Sequence, residues 1–212
     1  MKEKGILIVI SGFSGAGKGT LVRELLHRHG EYALSISMTT RPPRAGETQG
    51  VEYFFTDIPR FEEAIAADGL VEYARYCGNY YGTPRAYVEE QLAAGKNVIL
   101  EIEIQGALKI KEKFPESLLI FVTPPDAEEL RRRLEKRGTE SAEAIARRLA
   151  RAAEESEGVE AYDYIVINDR LEESAEEIHR LVDAARAAPV RRKEFIHGIR
   201  EELYRFAKGV QN

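Results

Sequence analysis

Residues 11–20, SGFSGAGKGT, hold the densest chemistry in the chain. Gly12, Gly15 and Gly17 clear side chains from a turn, and Lys18 completes the Gly-x-x-x-x-Gly-Lys spacing of a phosphate-binding loop. In such a loop successive backbone N–H groups curl around phosphate oxygens at a helix N-terminus. The helix dipole favours an anion there, and the lysine adds a mobile positive charge. The run Gly12, Phe13, Ser14, Gly15, Ala16, Gly17, Lys18, Gly19 and Thr20 is therefore read as the cradle of a nucleoside triphosphate. One position departs from the pattern. Gly19 stands where Ser or Thr would bind Mg²⁺ directly, and the hydroxyl arrives one residue late, at Thr20. A metal must then be held by water, by the phosphates or by acids elsewhere, while Thr20 can still reach an α-phosphate.

Two further clusters could serve a phosphate site. In LEIEIQG, Glu101 and Glu103 lie two apart on an expected strand and so point to one face, where they could orient Mg²⁺-bound water or hold the lysine. The alternative is a pair of acids at an exposed strand end. In SMTTRPPR, Arg41 and Arg44 sit on a proline-stiffened loop, and guanidinium forks grip phosphate bidentately. Tyr53 and Tyr81 could add hydroxyl donors. Two loop arginines alone read as a solvated surface; beside a phosphate loop they read as a second phosphate site. The basic helical runs RRRLEKRG and ARRLARAAEE are mixed with Glu, the usual sign of a salt-bridged surface. The four histidines and Cys77 show no ligand spacing and are read as structural.

The elements needed to position these groups are visible as periodicity. GILIVISG is a β-branched apolar run of the kind buried in a parallel sheet, and KGTLVRELLHRHG follows as a helix stopped at Gly30. Strand, glycine loop and helix in that order are what a phosphate loop requires. From Ser35 to Tyr87 the chain turns polar and proline-broken, returns to a strand at VEYFF, and forms a helix from about Pro59 capped by Asp57. This reads as an inserted lobe. NVILEIEIQG, SLLIFVTPP and YDYIVIND read as further buried strands, alternating with helices after Asp126, over SAEAIARRLARAAEESEG and over SAEEIHRLVDAARAA. After Pro189, helical spacing of Phe195, Ile199, Leu203 and Phe206 predicts an amphipathic helix packed on the core, with self-association as the alternative. The alternation predicts a doubly wound α/β fold.

A chain of 212 residues can bury one sizeable core. Its 31 basic and 36 acidic residues leave a net charge of −5, which argues against non-specific nucleic-acid or acidic-membrane binding. A single cysteine excludes an internal disulfide. The apolar run Ile6 to Ile10 is too short for a signal-peptide core, and nothing approaches the ~18 apolar residues of a membrane span. The expectation is a soluble, cytoplasmic protein.

The GKGT ending resembles adenylate kinases and related nucleoside monophosphate kinases more than GTPases, and no Asn-Lys-x-Asp guanine motif is present. SxxTTRxPRxGExxGxxYFF, GNYYGT, LEIEIQGA, KRGTES…RRL and VIND, in this order and spacing over residues 5 to 186, together resemble guanylate kinase. The resemblance implies a P-loop core (1–35, 89–130 and 157–190), an inserted GMP-binding lobe (36–88), a helical lid (131–156) and a helical tail (190–212), all in one domain. It implies transfer of the γ-phosphoryl group of ATP to GMP with Mg²⁺ as cofactor, in purine metabolism, and leaves homo-oligomer formation open. Ser37, Glu72 and Thr83 match residues that hold guanine; Arg41, Arg44, Tyr53 and Tyr81 match those that hold the GMP phosphate. Glu101 and Glu103 match an acidic pair at the GMP site often written as Asp. Arg133, Arg137 and Arg148 match lid arginines that close on ATP, and Asn168 a position near adenine. Lys18, Arg41, Arg137 and Arg148 are the implied catalytic set, with Arg131 and Arg132 as surface residues. A kinase for another monophosphate and a non-catalytic binding module of this type are the rival readings.

Overall fold

A computed structural model describes residues 4–76, 78–136 and 141–209. In chain order, β1 (Leu7–Gly12) leads through the glycine loop into α1 (Lys18–Arg28), then β2 (Tyr32–Leu34) and β3 (Ser37–Thr39). There follow β4 (Tyr53–Phe55), α2 (Ile58–Ala66), β5 (Leu70–Tyr76), β6 (Asn79–Pro84), α3 (Arg85–Ala93) and β7 (Asn97–Glu101). The chain continues with α4 (Ile104–Lys113), β8 (Leu118–Thr123), α5 (Ala127–Lys136) and α6 (Ala142–Ser156). It closes with β9 (Tyr164–Ile167), α7 (Leu171–Arg186) and α8 (Lys193–Gly209).

The core is a five-stranded parallel sheet in the order β2-β7-β1-β8-β9. Strand β1 lies at its centre because its side chains alternate between two apolar layers. Ile6, Ile8 and Ile10 face Leu21, Val22 and Leu25 of α1 and Ile178 and Val182 of α7. Leu7 and Val9 face Val88 and Leu92 of α3 and Ala107 and Ile110 of α4. A doubly wound α/β arrangement follows. The chain leaves β1 for one side of the sheet and later returns to the other, so the carboxyl ends of β7, β1 and β8 open a crevice at the switch point, the usual ligand position in such sheets.

A second sheet, β4-β3-β6-β5, stands apart; β3 pairs parallel with β4 and antiparallel with β6. It is held by fully buried Phe61 of α2 stacked on Tyr80, with ring centroids 5.0 Å apart. Asp57 caps α2 as its sequence position suggests, accepting from the Arg60 N–H at 2.9 Å. Helices α5 and α6 pair through Leu130, Leu134 and Ala152, with Phe13 of the glycine loop packed against them.

Two expectations fail. YIVI forms a strand, but β9 is the sheet edge, and only Val166 is buried while Tyr164, Ile165 and Ile167 are exposed. An apolar run signals a strand without saying how many neighbours cover it. The tail is helical, yet Phe195, Leu203 and Phe206 are 66%, 63% and 72% exposed, so its apolar stripe is not core. A chain ending at Arg192 should therefore keep its cooperative thermal transition within about 4 °C of the full chain, the shift about 1 kcal/mol produces at this size. Scanning calorimetry showing loss of that transition would mean α8 carries core stability.

Candidate active site

Every loop N–H turned inward turns a carbonyl outward, and each must be met. Lys18 Nζ donates to the carbonyls of Gly12 at 2.7 Å and Phe13 at 3.2 Å. The Ala16 carbonyl accepts from Asn168 Nδ2 at 2.8 Å and Arg133 Nη1 at 3.2 Å. Arg133 also donates to the Asn168 carbonyl at 2.8 Å and is oriented by Glu129 at 2.6 Å. Arg148 of α6 donates to the hydroxyl of Ser14 at 2.8 Å. Gly17, at φ 89°, turns the chain into α1, and a Cβ there would lie 2.7 Å from Asn168 Nδ2. Helices α5 and α6, the loop and the end of β9 thus meet on one turn. Arg137 lies outside the described residues, as does Cys77. Arg131 and Arg132 are exposed and paired to Glu135 and Glu129, as expected.

The acidic pair divides. Strand β7 ends at Glu101, so Glu103 does not share its strand face; it is the N-cap residue of α4, is 75% exposed and accepts from Arg151 at 2.6 Å. The expected common face was wrong because the strand stops two residues early. Glu101 fits a metal-linked role better. A Cβ built on Gly19 would lie 3.6 and 3.7 Å from its two carboxylate oxygens, so that carboxylate flanks the place where a serine would otherwise stand. The exposed Thr20 hydroxyl in the next position accepts from Arg23 Nη2 at 3.2 Å, and Arg23 Nη1 lies 3.9 Å from the same Cβ position, so oxygens that suit Mg²⁺ stand here beside a guanidinium.

On the second sheet, Arg41 lies 5.4 Å from the centre of the Tyr53 ring, and Tyr53 and Tyr81 meet edge to face at 6.1 Å. Arg41 Nη2 donates to both carboxylate oxygens of Glu47, at 2.8 and 2.9 Å, Nη1 donates to the Pro42 carbonyl at 2.7 Å, and Glu47 also accepts from the Arg44 N–H at 2.7 Å. Arg41 holds the Glu47 carboxyl below the usual carboxylate range. Glu47 was missed as a participant; its place three residues after Arg44 in the PRAGE turn is the signal. The Arg44 side chain is exposed. Ser37 begins β3, half-buried. Buried Thr83 donates to Glu72 Oε1 at 2.8 Å, and burial pushes the Glu72 carboxyl upward against that bond.

Main-chain amides with a lysine at the switch point of a parallel sheet, a helical pair over them and an arginine–tyrosine cluster on an inserted sheet define a P-loop kinase of small phosphorylated acceptors. Sequence comparison narrows this class. The family description "Guanylate kinase" matches residues 4–185. A guanylate kinase of Caldanaerobacter subterraneus subsp. tengcongensis is 48% identical over 202 residues, 95% of this chain and 98% of that one. One from Lactococcus lactis is 50% identical over 184 residues, 87% of this chain and 90% of that one. The crystal structure of guanylate kinase from Anaplasma phagocytophilum superposes with a TM-score of 0.68 at 34% identity, covering 90% of each chain. The chain belongs to the guanylate kinase family.

The buried carboxyl makes a directional prediction. A raised Glu72 pKa means the folded chain binds that proton more readily than the unfolded one, so this group's contribution to stability is present at low pH and lost as pH rises through the folded value. Glu72→Gln should consequently leave the melting temperature at neutral pH equal or higher. If ionised Glu72 is a ligand acceptor, apparent acceptor affinity in the wild type should begin to fall on acidification at a higher pH than an ordinary carboxylate would give. Steady-state KM measured against pH in both proteins tests this, and the variant should lose that step.

Proposed function

We propose that the protein catalyses ATP + GMP ⇌ ADP + GDP in the cytoplasm, by direct in-line transfer without a covalent enzyme intermediate. The observation that carries this is the pairing of a lysine-bearing amide cradle with a second, arginine-bearing site next to a buried carboxylate. Guanine offers N1–H and the 2-amino group as donors, which a carboxylate accepts, while Ser or Thr hydroxyls serve O6 or N7. Glu72, Thr83 and Ser37 take these roles. Adenine would set a lone pair at N1 against Glu72 and lacks the 2-amino group.

The GMP phosphate is held by Arg41, Arg44, Tyr53 and Tyr81. Glu47 and the Pro42 carbonyl hold the Arg41 guanidinium oriented through Nη2 and Nη1, and the phosphate takes their place on it. ATP lies on residues 12–20, with Asn168 and Arg133 bracing the loop and Arg133, Arg137 and Arg148 closing over it. An oxygen of the GMP phosphate forms a bond to the γ-phosphorus as the bond to the β–γ bridging oxygen breaks, and ADP leaves with that electron pair. Lys18 exchanges the Gly12 and Phe13 carbonyls for phosphate oxygens and follows the transferring group. Guanylate kinases generally need a divalent metal; Mg²⁺, when bound, screens the triphosphate charge, and Glu101 and Thr20 would hold its waters. Glu103 then acts through Arg151 of α6 rather than at the metal. Among the described residues no helix is long and apolar enough to cross a membrane.

A coupled assay offering ATP with GMP, AMP, CMP and UMP in turn tests the reading. Preference for GMP should be on the order of 10⁴, the scale reached when wrong partners leave buried polar groups unpaired. Faster turnover of AMP would overturn it. Lys18→Ala should lower turnover by orders of magnitude with GMP affinity, measured by calorimetry, largely kept; unchanged turnover would move the donor site elsewhere. Gly19→Ser fits at ordinary contact distance from Glu101 and should lower the Mg²⁺ concentration needed for half-maximal rate, read from a metal titration at fixed ATP.

A further inference from the structure

Sequence spacing assigns the histidines no ligand role, but the fold gathers two of them. His29 is the C-cap residue of α1, Glu31 follows it before β2, and His179 lies within α7, which packs along α1. One ligand atom from each of these three residues lies within 4.8 Å of the other two. The two imidazoles are stacked, centroids 3.8 Å apart and planes 18° from parallel. Two more carboxylates close on the pair: Glu176 Oε1 lies 3.3 Å from His29 Nε2, and Asp183 Oδ2 lies 3.5 Å from His179 Nε2. The buried His29 Nε2 makes no hydrogen bond among the described residues. Tyr32 Oη stands 2.9 Å from His179 Nδ1, the nitrogen that also faces Glu31 Oε1 at 3.7 Å.

We infer that His29, His179 and Glu31 form a site for a divalent transition-metal ion of the zinc class, which clasps α1 to α7. Imidazole nitrogen with carboxylate oxygen favours such ions over Mg²⁺, so this site is separate from the nucleotide-linked metal. Metal–ligand lengths of about 2.0–2.2 Å set tetrahedral donors roughly 3.5 Å apart, so the three groups must draw in by about 1 Å. The rings must also pivot out of their stack to aim lone pairs at one point. Both side chains are partly exposed, at 16% and 19%, which leaves room for that rotation. Glu176 or Asp183 completes the set. Their other neighbours are cations, Arg28 Nη1 at 3.7 Å from Glu176 and Arg186 Nε at 3.8 Å from Asp183, so three carboxylates face two guanidinium groups before the ion arrives. The site lies at the far end of α1 from Lys18, about 16 Å away along an 11-residue helix, and its role is to brace that helix rather than to touch the reaction.

Zinc chloride alone, titrated into the chelator-stripped full chain in the presence of excess Mg²⁺, tests the site by calorimetry and thermal melting. The expected result is one Zn²⁺ per chain with an upward shift in melting temperature. His29→Ala and His179→Gln should each weaken binding tenfold or more, the glutamine retaining a polar partner for Tyr32 so that the fold is kept. Cobalt(II) should show the visible absorption of a tetrahedral nitrogen–oxygen site in the wild type and lose it in both variants. Absence of stoichiometric binding would overturn the inference. So would binding undiminished in both variants but abolished by Cys77→Ser, His27→Ala or His197→Ala, which would place the ion elsewhere.

Discussion

The turn between β1 and α1 can offer its amides to phosphate only if its outward carbonyls find partners inside the protein. Lys18, at the end of the loop itself, serves Gly12 and Phe13, and distant parts of the chain, Asn168 and Arg133, serve Ala16. Asn168 is positioned by β9, its N–H bonded to the Thr123 carbonyl at the end of β8 at 2.7 Å, so sheet and loop are set together. Arg133 adds α5 to the same carbonyl. The glycine turn, α5 and the edge of the sheet therefore share one hydrogen-bond network. A buried network of this kind is stable only when every member is satisfied, which explains why so short a turn recruits side chains from three elements.

The second sheet solves a related problem with charge. An acidic chain must keep a cationic site from collapsing onto any available carboxylate, and here Arg41 is given one, Glu47, held through Nη2 while Nη1 is held by the Pro42 carbonyl, over an aromatic floor of Tyr53 and Phe55. The guanidinium is held extended and oriented, and a phosphate with its higher charge competes for the same fork. Glu72 sits at the opposite extreme, buried with one hydroxyl partner and no cation against it at hydrogen-bond distance among the described residues. That burial raises its pKa.

Local signals proved legible where the cause is local. The glycine loop, the Asp57 cap and the alternation of strands and helices all arise from a few neighbouring residues, and the structure carries them as read. Misreadings occurred where the cause is neighbourhood. Ile165 and Ile167 have the composition of a central strand but lie at an edge, and the stripe of α8 predicts an apolar face without naming what covers it. Glu103 left its strand because β7 ends where α4 must begin. Glu47 was passed over because a glutamate in a polar turn carries no mark of function until an arginine folds onto it.

Spacing in the chain was thus enough to determine the glycine turn between β1 and α1 and the alternation of strands and helices, since each depends on contacts a few positions apart. Folding alone brought Ala16 to Asn168 and Arg133, Arg148 to Ser14, and Tyr32 to His179 across 147 positions. No periodicity encodes such meetings. They exist because closing the apolar layers around β1 brings α1 and α7 side by side and lays α5 and α6 on the loop, and polar groups carried on those surfaces must then pair with whatever the packing sets opposite them.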